Sequence, residues 1–269
     1  MNWRAVRAIV RRDLILIAGN KQVIIGMVVV PAVLLIGMPI FIGIVASTQG
    51  APADGLDEYA SFVRFLSPAL RAAAPGAQIA TAVLTVAFAP IILLAPLMAT
   101  SMLAAASIAG ERERGTLEAL LLVPISDREL LAAKLAGAWV PALVVNVAGA
   151  ICYAVVVDAV MWPTVHQLVL PNALWFLLTF WLGPALSAAG LGATVLVSAR
   201  ARTFQGASQL SAALVMPVIF LVTAQGTGLV LLGAWVGFVV GIALWLITAW
   251  LVAVAARSLT RTRLGQRLG

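Results

Sequence analysis

Charge is scarce in this chain. Of 269 residues only 10% are Asp, Glu, Lys or Arg, against 63% hydrophobic, and the mean hydropathy is +1.09. A soluble protein needs far more charge to cover its surface, so this composition specifies an integral membrane protein. Long polar stretches are missing too. With the apolar runs set aside, nothing approaches the roughly 50 residues of an independent soluble domain, which excludes an appended ATPase, protease or kinase domain. Cysteine occurs once, as Cys152 in an apolar run, excluding an intrachain disulfide and a cysteine-based metal centre. Histidine occurs once, as His166 in the segment WPTVHQLVLP. A lone His reads as a surface or interfacial residue rather than a metal ligand, and no hydrolase motif joins it to Asp54, Asp57, Glu58 or Asp158. The two lysines, Lys21 and Lys134, are followed by Gln22 and Leu135. No glycine-rich phosphate loop ending in Lys-Ser or Lys-Thr is therefore present, and the chain cannot hydrolyse ATP by that route.

What is abundant is uninterrupted apolar sequence. A spanning helix needs about 20 such residues, and stretches at 23–46, 77–107, 135–157 and 172–198 meet that length. The run from Thr203 to Ala256 carries no charge and is too long for one span; Gln225-Gly226-Thr227-Gly228 supplies turn chemistry within it, predicting helices at 207–224 and 229–256. Six spans put both termini on one side, with 108–134 as the long connecting loop and 257–269 as a tail. Sorted that way, fifteen of the seventeen basic residues lie on the terminal side, and only Arg64 and Arg71 lie opposite. Such asymmetry predicts cytoplasmic termini in a plasma (inner) membrane. The sequence pI of 11.0 thus reflects topology rather than a nucleic-acid footprint. The first apolar run exceeds a secretory h-region of about 7–15 residues and reads as a signal anchor.

Segments outside the spans also have legible patterns. Trp3, Val6, Val10, Leu14 and Ile17 share one helical face, with Arg4, Arg7 and Arg11 on another, predicting a basic interfacial helix over 1–21. Leu56, Tyr59, Val63, Leu66 and Leu70 predict a short outer helix capped by Asp54 and ending near Pro68. The tail arginines Arg257, Arg261, Arg263 and Arg267 read as a snorkelling end to the last span. The densest mixed charge is ERERGTLEALLLVPISDRELLAAK, Glu111 to Lys134. Gly115-Thr116 before LEALLLV, with Glu118 in the first turn, predicts a short amphipathic helix stopped by Pro124. Ser126-Asp127-Arg128-Glu129 forms a capping box with Ile125 and Leu130 as its staple, so a new helix starts there and continues into the third span.

This loop, with its E-R-E-x-G-T-L-E-x-L-L-x-x-P-I-S pattern followed by a Lys where the chain enters the membrane, resembles the intracellular loop of ABC-2 type transporter permeases. The six-span layout and amphipathic N-terminal helix agree with that family across essentially the whole chain. The resemblance implies an all-α, non-catalytic membrane subunit of an ABC exporter, whose coupling helix docks into a separate ATP-binding subunit. It further implies two such subunits, which hold ATP and Mg, and a second permease chain forming a homodimer. The coupling contact would comprise Glu111, Arg112, Glu113, Arg114, Gly115, Thr116, Glu118 and Pro124, with Arg200 and Arg202 as a smaller second contact. The bland alternative is that these charges merely solvate a loop.

Within the six predicted spans there is no Asp, Glu, Lys, Arg or His, which weighs against a proton- or ion-driven carrier. A self-sufficient secondary transporter or channel remains the alternative, since neutral oxygens also bind Na⁺. The candidates for lining a path are Thr81, Thr85, Thr100, Ser101, Asn146, Ser208, Gln209 and Ser211. Pro31, Pro39, Pro90, Pro96, Pro141 and Pro217 permit kinks inside spans. Gly233, Gly237 and Gly241 allow close helix approach, read as packing within the chain rather than between chains. The mostly apolar spans favour a hydrophobic or amphipathic cargo.

Overall fold

The computed structural model describes residues 7, 8, 10–12, 15, 19–49, 55–113, 127–198, 205, 206, 209, 213–228 and 233–258. Helices and short turns account for nearly all of them, and no strand occurs among the described residues. The helical elements whose bounds are described are, in chain order, α1 (21–49), α2 (Gly55–Val63), α3 (Pro68–Arg71), α4 (75–113), α5 (Asp127–Val165), α6 (173–198), α7 (Ala213–Gly226) and α8 (Ala234–Ser258). Five of these, α1, α4, α5, α6 and α8, are long and apolar enough to cross a bilayer. Where a span is expected at 207–224, α7 is a shorter apolar helix; residues 207, 208 and 210–212 lie outside the described residues.

α4 is the axis of the bundle. Of its spanning window 83% is buried, against 17% for α1 and for α8. The core around α4 is apolar and relies on shape, built from Leu84, Ile92, Leu97, Leu178, Leu182 and Val157. The end of the bundle near Ser107 and Lys134 is here the proximal end, and that carrying α2 and α3 the distal end.

The charge-to-charge spacing locates helices well and their ends less well. α5 continues as helix to Val165 rather than stopping at 157, so Asp158 is helical. It ends where His166 adopts the left-handed region (φ 51°), its N–H bonded to the Trp162 carbonyl at 3.0 Å, a standard way of closing a helix. Asn172 begins α6 by accepting the Trp175 N–H at 2.8 Å. The outer helix expected to end near Pro68 is divided instead. α2 stops at Val63, and α3 starts afresh at Pro68 because Ser67 caps it (Leu70 N to Oγ, 3.4 Å). Phe62, Leu66 and Leu70 are buried in the main core, so this pair plugs the bundle as well as covering it. In the N-terminal segment residues 7, 8, 10–12 and 15 are helical, with Arg7 and Arg11 exposed and Val10 beside Gly137. Trp3, Val6, Leu14 and Ile17 lie outside the described residues.

Four widened π turns interrupt the spans: Ile25–Val29 and Val33–Gly37 in α1, Val83–Ala87 in α4 and Leu177–Leu182 in α6. Each ends two or three residues before a proline, namely Pro31, Pro39, Pro90 and Pro184. The proline ring crowds the carbonyl four residues earlier, and widening the preceding turn relieves that contact. Pro141 and Pro163 sit inside α5 without such a turn.

Candidate functional site

Inside the bundle the uncharged polar residues converge on helix irregularities. At the π turn of α4 the Phe88 N–H bonds the Val83 carbonyl (2.9 Å) and skips that of Leu84. The Tyr153 hydroxyl, from α5, donates to the Leu84 carbonyl at 2.6 Å. Two residues on, Pro90 has no N–H to offer the Val86 carbonyl, and Nε2 of Gln225 in α7 donates to it at 2.6 Å. α6 repeats the arrangement. The Gly183 N–H bonds the Leu178 carbonyl, leaving that of Thr179, which Nδ2 of Asn146 serves at 2.7 Å. A Cβ on Gly183 would lie 2.7 Å from the Asn146 Oδ1, so only glycine admits that amide. In each case a donor from a neighbouring helix satisfies a carbonyl that would otherwise be orphaned in an apolar interior.

The candidate path residues Thr81, Thr85, Thr100, Ser101 and Asn146 are all buried. The Thr85 hydroxyl donates to the Thr81 carbonyl (2.7 Å), and that of Thr100 to the Pro96 and Leu97 carbonyls (2.7 and 3.1 Å). Such bonds return to the same helix. Thr81 Oγ1, Ser101 Oγ and Asn146 Oδ1 have no hydrogen-bond partner. Gln209 is helical and exposed, whereas Ser208 and Ser211 lie outside the described residues. Five of the eight candidates therefore sit within the core between α4, α5 and α6.

Sequence reading passed over Tyr153 and assigned Gln225 to a turn, yet both are fully buried or nearly so (1% and 0% exposed). The signal for Gln225 was present in Pro90, which announces an unpaired carbonyl at Val86. Which distant amide would reach it, 139 residues away in sequence, is a matter of tertiary packing. Asp158 also has a structural role, because its Oδ1 accepts the N–H groups of Val169 (2.8 Å) and Leu170 (3.0 Å) and so fastens the distal loop.

At the proximal end Glu111, Arg112 and Glu113 form the last turn of α4. Arg114, Gly115, Thr116, Glu118 and Pro124, and likewise Arg200 and Arg202, lie outside the described residues. The base of this segment is tied by Lys134, which is buried and donates from Nζ to the Ser107 carbonyl at 3.0 Å.

A family profile described as ABC-2 family transporter protein matches residues 70–238, from α3 into the start of α8. No curated protein matches the chain. With well over half of its length matched and five helices able to cross a bilayer, the chain belongs to the ABC-2 family of transporter proteins and is a multi-pass membrane permease.

Proposed function

We propose that the chain is the permease subunit of an ATP-driven exporter and couples to a separate ATP-binding subunit through 108–134. The observation that carries this reading is the E-R-E-x-G-T-L-E pattern between two spanning helices. α4 runs into the segment at Glu113 and α5 leaves it at Asp127, so a push on the segment reaches both helices directly. The missing phosphate loop supports assigning ATP and Mg to the partner. In this reading two ATP-binding subunits serve a homodimer of permease chains, α7 completes six spans, and both termini face the cytoplasm across the plasma (inner) membrane. Because Thr81, Thr85, Thr100, Ser101 and Asn146 are core residues of one chain, a path along them opens only when α4, α5 and α6 part. A hydrophobic or amphipathic cargo suits the uncharged interior.

The test is affinity purification of the chain in mild detergent followed by mass spectrometry. A roughly stoichiometric ATPase with a phosphate-binding loop is expected, and reversal of Glu111 and Glu113 to Lys is expected to abolish its recovery. A well-folded chain that purifies alone would sink the reading. Intact partner binding and stimulated ATPase activity in the charge-reversed chain would remove the coupling role of the segment.

A further inference from the structure

We propose that Tyr153 and Asn146 are positioning residues through which α5 holds two hinges, the break of α4 at Phe88 and the widened turn of α6, with Gln225 as the fixed anchor of the first. The inference deepens the permease reading and rests on it only for the role of the hinges in transport.

The geometry separates two kinds of carbonyl. At Leu84 and at Thr179 the orphaned carbonyl has an alternative donor within its own helix. Phe88 N–H now bonds Val83, and Gly183 N–H bonds Leu178. Each needs only to shift by one acceptor to rewind its π turn into α geometry. While the Tyr153 hydroxyl and the Asn146 amide occupy Leu84 and Thr179, the wide turns are retained. When either donor withdraws, rewinding restores the lost bond, because an unpaired carbonyl in an apolar interior is costly. At Val86 no such exchange exists, since Pro90 has no N–H. Gln225 therefore serves a carbonyl that nothing in α4 can serve, and the break at Phe88 persists in both states.

Asn146 and Tyr153 lie seven residues apart on α5, two turns of helix, and so occupy one face. A single displacement of α5 withdraws both donors together. α5 is also continuous from Asp127, where the Glu111–Lys134 segment meets the bundle, and carries Lys134, tied to Ser107, two turns further on. Motion at the proximal end is thus delivered to the middle of α4 and of α6 by one continuous helix. A π turn that can exchange hydrogen-bond partners is a two-state element, which is what transmitted coupling requires.

Hydrogen–deuterium exchange of the full chain in lipid nanodiscs, resolved to peptides over 83–93 and 177–183, tests this. Freed of its clamp, each turn interconverts between π and α pairing through a transiently unpaired state, so Tyr153→Phe is expected to raise exchange about tenfold over 83–93 and leave 177–183 unchanged, and Asn146→Leu to do the reverse. Gln225→Leu is expected to act on 83–93 alone, and adding Pro90→Ala is expected to cancel its effect by restoring an N–H opposite Val86. Unaltered exchange in all three single variants would overturn the proposal, as would a uniform rise in every peptide, the signature of a merely stabilising role. In the complex with its ATP-binding partner, nucleotide is expected to change exchange over 83–93 in the unsubstituted chain but not in Tyr153→Phe. If no partner exists the permease reading fails, while the selective pattern still decides the hinges.

Discussion

Among single residues, what matters here is the absence of a side chain as often as its presence. Gly237 faces Leu177, and a Cβ on Gly241 would overlap the Trp181 indole, whose Nε1 donates to the Phe238 carbonyl at 3.1 Å. Gly237 and Gly241 thus serve packing of α8 on α6 within the chain, whereas Gly233 precedes α8 and faces Phe65. Gly241→Leu is expected to cost about 2–3 kcal/mol by overpacking, seen as a lower midpoint of thermal unfolding in detergent. Gly37→Ala is the control, since nothing lies within 4 Å of its would-be Cβ, and an unchanged or slightly raised midpoint is expected because alanine favours a helix over glycine. Equal losses in both would show that the close approach at Gly241 is not a stabilising contact. The neutral polar residues were legible as types but not as partners. Periodicity identifies a helix face, yet it does not say that Tyr153 ends at Leu84, 69 residues away.

Among the helices, the prolines are the most instructive. Sequence reading took Pro31, Pro39, Pro90, Pro96, Pro141 and Pro217 as equivalent kink sites. The structure widens the turn before Pro31, Pro39 and Pro90, does so before Pro184 as well, and leaves α5 unwidened at Pro141. At Pro90 and Pro184 the widened turns are the ones whose released carbonyls meet a donor from another helix, and local sequence does not contain that donor. The end of α5 is another case: Asp158 falls inside the helix, and its carboxylate reaches forward to Val169 and Leu170. Asp158→Ala frees two N–H groups and is expected to destabilise the distal loop by about 2 kcal/mol, read as faster protease cleavage within 166–172. Asp158→Asn keeps an acceptor oxygen and is expected to remain near the original rate; cleavage as fast as in the alanine variant would show that an acceptor alone does not fasten this loop.

Across the molecule, α4 is enclosed while α1 and α8 turn most of their apolar surface outward, including Ile25, Val33 and Phe41 on the first and Trp235, Leu246 and Trp250 on the second. These faces suit lipid. The orientation drawn from basic residues is directly measurable. With Cys152 replaced by Ala, Arg64→Cys, an exposed position, is expected to react with a membrane-impermeant maleimide in intact cells. Lys21→Cys, also exposed, is expected to react only after permeabilisation. The opposite pattern would invert the topology and move the Glu111–Lys134 segment to the outer side, away from any cytoplasmic ATPase.

Composition and local pattern alone established the membrane class and the approximate position of the long helices, and one charged loop carried the resemblance to a transporter family that the profile match over 70–238 bears out. Those properties follow from interactions within a few residues, which a linear chain displays. Packing between helices was needed to show that five of the eight candidate path residues are buried core, that Gln225 is an interior donor as well as the start of the expected turn, and that α5 grips the irregular turns of α4 and α6. A hydrogen bond between helices depends on two distant segments meeting at the same depth, with the right carbonyl left unpaired. Helical periodicity records which face a residue occupies, and the partner on the other side of the seam is recorded only in the packing.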